Sequence, residues 1–284
     1  MKLSDLGSRP VHTVEPDDSI DRAIQVMEET HVRHLTVVEG DALVGMLSER
    51  DLLGSVGGLR SDRRRVVRDG LEVIIGPTRV SEIMSRPVLS LPIEADVAEA
   101  ARFALANHVG TIPLLENQRL LAVVSRTDLL RALRDMSLAA SEESPCYEPV
   151  RKHMTARVFT VSPDAEIAVV QKAFREKGFR HLPVLEEGKL VGIISERDVR
   201  RALGIEAVLG EESRAKGEVM LGCRCVGDVL SPEPETISPD RTLAEAAHLM
   251  LADRVGSLCV IENELLVGII TETDLLRILA RSPE

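Results

Sequence analysis

One short pattern occurs four times along the chain and constrains its fold more than any other feature. An apolar run ending in a hydroxyl residue, then two variable residues, then Asp, reads GMLSERDLL from Gly45, AVVSRTDLLRAL from Ala122, GIISERDVRRAL from Gly192 and GIITETDLLRIL from Gly268. The Asp residues stand at positions 51, 128, 198 and 274, spaced 77, 70 and 76 apart, and alternate copies lie 147 and 146 apart. That is the period of a duplicated pair of repeats, in which each unit must stack on another to bury its apolar face.

A single copy has two readings. Ser or Thr at a helix N-cap with an acidic residue three positions later satisfies helix-start donors by itself. The same oxygens, standing where a strand gives way to a helix, can also meet a ligand.

The residues around each copy extend the repeat. Short extended segments precede a Pro-bearing turn: VHTVEPD at 11–17, VLSLPIE at 88–94, VFTVSPD at 158–164 and ETISPD at 235–240. Pro16, Pro92, Pro163 and Pro239 disfavour continuous helix there. One-faced apolar stripes follow: Ile20, Ala23, Ile24 and Met27; Val97, Ala100, Ala101 and Ala104; Ile167, Val170 and Phe174; Leu243, Ala246, Ala247 and Met250. Then come two apolar runs split by a polar turn, as in HLTVVEGDALVGML and HLPVLEEGKLVGII. The unit is β-α-β-β-α, and the fold class is α/β (α+β).

One such unit is too small to close a large core, whereas two cover each other's strands. The expected division is a first pair over 1–139, with repeats at about 1–56 and 79–137, a linker at 140–149, and a second pair over 150–284, with repeats at about 150–203 and 226–281. The intervals from Gly54 to Arg79 and from Gly204 to Val226 are long enough for a connecting helix plus loops.

Composition narrows the function. With 44% hydrophobic residues the chain can fill substantial cores, but aromatics are only 2%, which argues against an aromatic cage or a nucleic-acid stacking platform. A net charge of -11 opposes general attraction to nucleic acids and anionic membranes. The run of Arg60, Arg63, Arg64, Arg65 and Arg68 is interleaved with Asp62 and Asp69; it reads as a solvated linker face, with a phosphate-facing or subunit-facing role as the alternative. Cys223 and Cys225 are close, but Cys146 and Cys259 are isolated, so no zinc pattern emerges and no metal is expected. There is neither a signal-peptide core nor an apolar run of about 18 residues, so the expected location is cytoplasmic.

The fourfold motif resembles the cystathionine beta-synthase (CBS) domain family, here as four repeats forming two tandem pairs of the kind called Bateman modules, each with pseudo-twofold symmetry. The resemblance spans nearly the whole chain. It implies a regulatory protein, not an enzyme, that binds an adenosine-containing small molecule. AMP, ADP or ATP is the leading ligand and S-adenosylmethionine the alternative; magnesium would enter only with ATP, and no cofactor is required. It further implies ribose and phosphate contacts from Ser48 and Asp51, Ser125 and Asp128, Ser195 and Asp198, and Thr271 and Asp274, with polar contributions from Thr13, Ser90, Thr160 and Thr236.

The four sites differ. The first and third repeats carry Arg33-His34-Leu35 and Arg180-His181-Leu182, whereas the others carry Val109-Gly110-Thr111 and Val255-Gly256-Ser257. Arg50 and Arg197 are placed to read phosphate, since guanidinium groups supply directed cationic donors, unless adjacent acids engage them; Arg126 assists the second site, while the fourth has Glu272 there. The sites of Arg50 and Arg197 therefore rank above the other two. His34 and His181 read as packing or phosphate-contacting residues rather than proton-transfer groups. The expected partners are the ligand, a separate regulated protein, and either the second module of the same chain or a second copy. A scaffold whose repeats keep the shape without an occupied pocket is the competing reading.

Overall fold

The computed structural model describes residues 1–56, 64–68, 71–75, 78–139, 144–202 and 225–281. The first repeat runs α1 (Leu3–Leu6), β1 (Thr13–Val14), α2 (Ile20–Thr30), β2 (His34–Glu39), β3 (Ala42–Ser48) and α3 (Glu49–Val56). Two short strands, β4 (Arg64–Arg68) and β5 (Leu71–Ile75), follow as an antiparallel pair. The second repeat comprises β6 (Leu91–Pro92), α4 (Val97–Ala106), β7 (Thr111–Glu116), β8 (Arg119–Ser125) and α5 (Arg126–Ala139). The third comprises α6 (Ile167–Lys177), β9 (His181–Glu186), β10 (Lys189–Ser195) and α7 (Glu196–Ala202). The fourth comprises β11 (Ser231–Pro232), β12 (Thr236–Ile237), α8 (Leu243–Ala252), β13 (Ser257–Glu262), β14 (Leu265–Thr271) and α9 (Glu272–Leu279).

In the connection after α3, which is long enough for a helix plus loops, the described residues form the strands β4 and β5 instead. The β-branched residues of RRVVR and LEVII favour extended backbone. Arg60, Arg63 and Cys223 lie outside the described residues, as do 140–143 at the start of the expected linker.

The helical stripes face inward. All four residues predicted for α4 and for α8 are buried, as are Ile167, Val170 and Phe174 of α6; in α2 the buried set is Ile20, Ala23, Val26 and Met27, with Ile24 packed at its margin. Caps start the helices: Ser19 Oγ accepts from the Arg22 amide, and Asp96 Oδ1 accepts from the Glu99 amide. Each hairpin turns on left-handed backbone, as at Asn117 and Gln118, Glu187 and Gly188, and Asn263 and Glu264, the geometry whose twist matches the flanking strands.

Paired repeats embrace through the segments that lead into them. Ser8, before β1, bridges to Val123 of β8, and Ser85, before β6, bridges to Met46 of β3. In the second pair Thr155 bridges to Ile269 of β14, while β11 pairs antiparallel with β10. Small residues permit this approach. A Cβ on Gly45 would lie 2.3 Å from Met84 Sδ, one on Gly268 would lie 2.5 Å from Met154 Sδ, and one on Gly192 would lie 2.6 Å from Leu230.

The two pairs also meet. A single apolar core runs from α4, β7, β8 and α5 of the second repeat into α8, β13, β14 and α9 of the fourth, and it includes Cys146 and Val150 from the segment between the pairs. Tyr147 anchors that segment by donating its hydroxyl to the Ser137 carbonyl at 2.8 Å. Cys259 is fully buried in β13, where burial pushes its thiol up to about 12. No helix among the described residues is long and apolar enough to cross a membrane.

Candidate functional site

The four motifs adopt one geometry. Oδ2 of each Asp accepts from both the amide and the hydroxyl of the residue three before it: 2.9 and 2.5 Å for Asp51 with Ser48, and 2.8 and 2.6 Å for Asp128 with Ser125. The distances are 2.8 and 2.6 Å for Asp198 with Ser195, and 2.9 and 2.7 Å for Asp274 with Thr271. One oxygen therefore closes the capping box that holds the strand-to-helix corner. Oδ1 takes no part in the box, and in two copies an Arg three residues on approaches it: Arg131 Nη1 at 2.6 Å from Asp128, and Arg277 Nη1 at 2.5 Å from Asp274.

Because the lead-in segments cross over, three of the corners face a wall made by the other repeat of their pair, while Asp198 lines none of the three clefts. Asp128 looks across a cavity of about 530 Å³ at Ser8 to His12, and Asp51 across one of about 480 Å³ at Ser85 and Pro87 to Leu89. Asp274 faces Thr155 and Arg157 to Phe159 across a cavity of about 230 Å³. The wall residues thus precede the polar positions read from the sequence. Thr13, Thr160 and Thr236 are absent from the linings of these three clefts, and Ser90 borders a separate recess with Leu43, Arg86 and Leu115. Thr13 and Thr236 are instead ladder residues, paired with Thr36 and Cys259.

Charge concentrates in the Asp128 cleft. Arg9, Arg33, Arg126, Arg131 and Arg180 line it, against the two acids Asp128 and Glu272. Arg126 is buried; its Nε donates to the Val109 carbonyl at 3.0 Å and its Nη1 to Thr273 Oγ1 at 3.3 Å. Arg180 Nη2 reaches the same hydroxyl at 2.9 Å, so guanidinium groups of the second and third repeats converge on one residue of the fourth. Burial, together with the nearby Arg180, lowers Arg126 to about 10 against the opposing pull of Glu272. It stays cationic at neutral pH.

Arg50 and Arg197 line the Asp51 cleft but are engaged across the interface between the pairs. Arg50 binds Glu196 at 2.6 Å and Arg197 binds Glu49 at 3.3 Å. Arg126 lines the Asp128 cleft and Arg180 lines the Asp51, Asp128 and Asp274 clefts, whereas Arg50 and Arg197, which the sequence reading ranked first, line the Asp51 cleft alone among these three. Arg9, Arg131, Arg157 and Arg277 escaped that reading. For Arg131 and Arg277 the signal was the Arg three places after the motif Asp, at 131, 201 and 277, where the first repeat has Gly54.

His34 and His181 begin β2 and β9, in register with Thr111 and Ser257, which begin β7 and β13. Arg33 and Arg180 therefore correspond to Gly110 and Gly256. The correspondence has a steric cause: a Cβ on Gly110 would lie 3.2 Å from the His34 ring, and one on Gly256 would lie 3.3 Å from the His181 ring. Burial, reinforced by Arg33 and Arg180 respectively, lowers each imidazole to about 4, which makes both neutral packing groups at neutral pH. Among the described residues, no cluster of three or more His, Cys, Asp or Glu is arranged to hold a metal ion.

Comparison with known proteins accords with this architecture. The chain is 29% identical over 280 residues to the uncharacterized protein MJ1225 of Methanocaldococcus jannaschii, covering 96% of each chain. The crystal structure of MJ1225, described as a proposed archaeal homolog of g-AMPK, superposes with a TM-score of 0.75 at 26% identity over 98% of this chain and 99% of that one. An uncharacterized conserved protein of Pyrococcus horikoshii shares the fold, with a TM-score of 0.65 at 19% identity over 98% and 100% of the two chains. An uncharacterized 33.4 kDa protein of Thermofilum pendens is 26% identical, covering 99% of this chain and 93% of that one. The family model described as CBS domain matches residues 3–58, 80–135, 150–205 and 226–281. The chain belongs to the CBS domain family, with four repeats arranged as two tandem Bateman-type pairs.

Proposed function

We propose that this protein is a regulatory sensor of adenosine-containing ligands, with the Asp128 cleft as its principal site for a phosphorylated one. One observation carries the reading: a chain of net charge -11 gathers five Arg against two acids around one cavity of about 530 Å³. Oδ1 of Asp128, which Arg131 Nη1 meets at 2.6 Å, has a second lone pair for a ribose hydroxyl, while Arg126, Arg9 and the remaining N–H groups of Arg131 supply donors to phosphate oxygens. AMP, ADP and ATP are the candidates. The description of MJ1225 as a g-AMPK homolog supports a nucleotide-sensing role.

The regulatory step follows from who lines the cleft. Arg180 and Glu272 belong to the second pair, while the rest of the lining belongs to the first. A ligand anion that draws Arg126 and Arg180 together favours one relative placement of the pairs, and a separate partner protein reads that placement. Such a shift requires different ligand affinities for the two placements.

Arg131→Ala tests the site, because Arg131 is half exposed and lies outside the core. We expect AMP affinity to fall about tenfold and its salt dependence to weaken. Unchanged affinity would remove the phosphate from this cleft. Binding of S-adenosylmethionine in place of AMP would redirect the reading to a methyl-donor sensor, and binding of neither would favour a scaffold.

A further inference from the structure

We infer that the recess bordered by Leu43, Arg86, Val88 and Leu115 is a second small-molecule site, for an aliphatic carboxylate, and that its occupant acts on the Asp51 cleft through a wall the two share. β3 meets β8 at a single rung, Ala42 with Arg119, and meets the lead-in segment of the second repeat at Met46 and Ser85. Leu43 and Val44, between these attachments, open onto a recess of about 710 Å³. Val88 and Leu115 complete its aliphatic walls. All four side chains are half-buried, an apolar surface that gains by covering a hydrocarbon chain.

The polar groups specify the other end of the occupant. Arg86 is exposed, and no Asp or Glu among the described residues lines the recess. Arg86 Nη2 lies 3.7 Å from Met84 Sδ, a weak acceptor, and among the described residues no carboxylate engages it. Ser90 and Gln118 add neutral donors. A carboxylate therefore finds one opposite charge and two hydrogen-bonding groups, whereas an ammonium meets a like charge.

The second pair supplies an internal contrast. Met84 and Leu230 press on the equivalent glycines Gly45 and Gly192, and Ser85 and Ser231 meet the equivalent residues Met46 and Ile193. Arg86 and Pro87 thus correspond to Pro232 and Glu233. There the strand pairing continues, Gly192 with Pro232, and an acid follows where the first pair has none. The cation is a property of the first pair.

The coupling comes from the shared wall. Pro87 and Val88 line both the recess and the Asp51 cleft. An occupant that binds one placement of this segment more tightly changes AMP affinity at Asp51, and AMP changes the occupant's affinity by the same factor. The coupling rests on the adenosine-sensor reading; the recess does not.

The test titrates the nucleotide-stripped full chain with butanoate, hexanoate and octanoate, followed by ligand-observed NMR. Affinity should rise about threefold per methylene, and hexylammonium should not bind. Arg86 is exposed, so Arg86→Gln leaves the core intact and should weaken hexanoate about tenfold. Arg119→Gln, beside the recess but outside its lining, should leave hexanoate binding unchanged, as should Arg50→Gln in the Asp51 cleft. Hexanoate and AMP should then shift each other's affinity by one common factor. The absence of saturable hexanoate binding overturns the proposal. So do equal losses in Arg86→Gln and Arg119→Gln, which mean general charge attraction, and a loss in Arg50→Gln alone, which puts hexanoate in the cleft. Binding of both ligands with no mutual effect overturns the coupling and keeps the site. If hexanoate binds as expected but AMP does not bind, the sensor reading fails while the recess stands.

Discussion

Arg50 Nη2 donates to both carboxylate oxygens of Glu196, at 2.6 and 2.7 Å, and so ties the first repeat to the third across the two pairs. The reciprocal contact, Arg197 to Glu49 at 3.3 Å, follows from the pseudo-symmetry of the two Ser-Glu-Arg-Asp motifs. The Arg50 side chain is 63% exposed, so the pair orients the modules more than it stabilises them. A double-mutant cycle with Arg50→Ala and Glu196→Gln should give a coupling of at most about 1 kcal/mol in unfolding free energy, smaller still at high salt. A coupling of several kcal/mol, unmoved by salt, would mean that the interface is sealed from solvent.

The glycines of β3, β10 and β14 mark where lead-in segments press against the partner repeat. Gly192→Ala should be the more disruptive change, because its Cβ would stand 2.9 Å from the Ser231 carbonyl oxygen as well as 2.6 Å from Leu230. At Gly45 the obstacle is the flexible side chain of Met84, which can yield. Overpacking of this kind costs about 1–3 kcal/mol, and denaturant unfolding should place Gly192→Ala toward the upper end and Gly45→Ala toward the lower. Equal losses would contradict this ranking.

The two imidazoles should make stability depend on pH. His34 and His181 are lowered to about 4 in the folded chain, by burial first and then by Arg33 or Arg180, with Asp51 and Asp198 opposing. Unfolded, each returns to about 6.5 and binds its proton more readily, so stability is full above about pH 6.5 and is lost as pH falls toward about 4. The slope reaches at most about 1.4 kcal/mol per pH unit for each His. His34→Thr with His181→Ser installs the residues that the partner repeats carry, and urea unfolding at several pH values should then show a shallower fall. An unchanged slope would mean that these rings do not control it.

The sequence made the repeat unit legible because its elements are encoded locally. Ile20, Ala23 and Met27 specify a helix face within two turns, and Asn263 and Glu264 mark a turn within two residues. It did not reveal which distant segment covers a given strand end. Ser8 meets Val123 and Ser85 meets Met46 across intervals that no periodicity spans, so it was not legible that Arg9, His12 and Pro87, shortly before Thr13 and Ser90, line the clefts. Nor could it say whether an Arg would face a ligand or a carboxylate. Arg50 and Arg126 occupy neighbouring motif positions, yet one bridges to Glu196 and the other is buried beside Thr273.

The most direct measurement is isothermal titration calorimetry of the nucleotide-stripped, full-length chain with AMP. The account predicts saturable binding, with a fitted stoichiometry that counts the working clefts and an affinity that falls as salt is raised. The absence of binding heat at two well-separated temperatures, which removes the accident of a zero enthalpy, would contradict it.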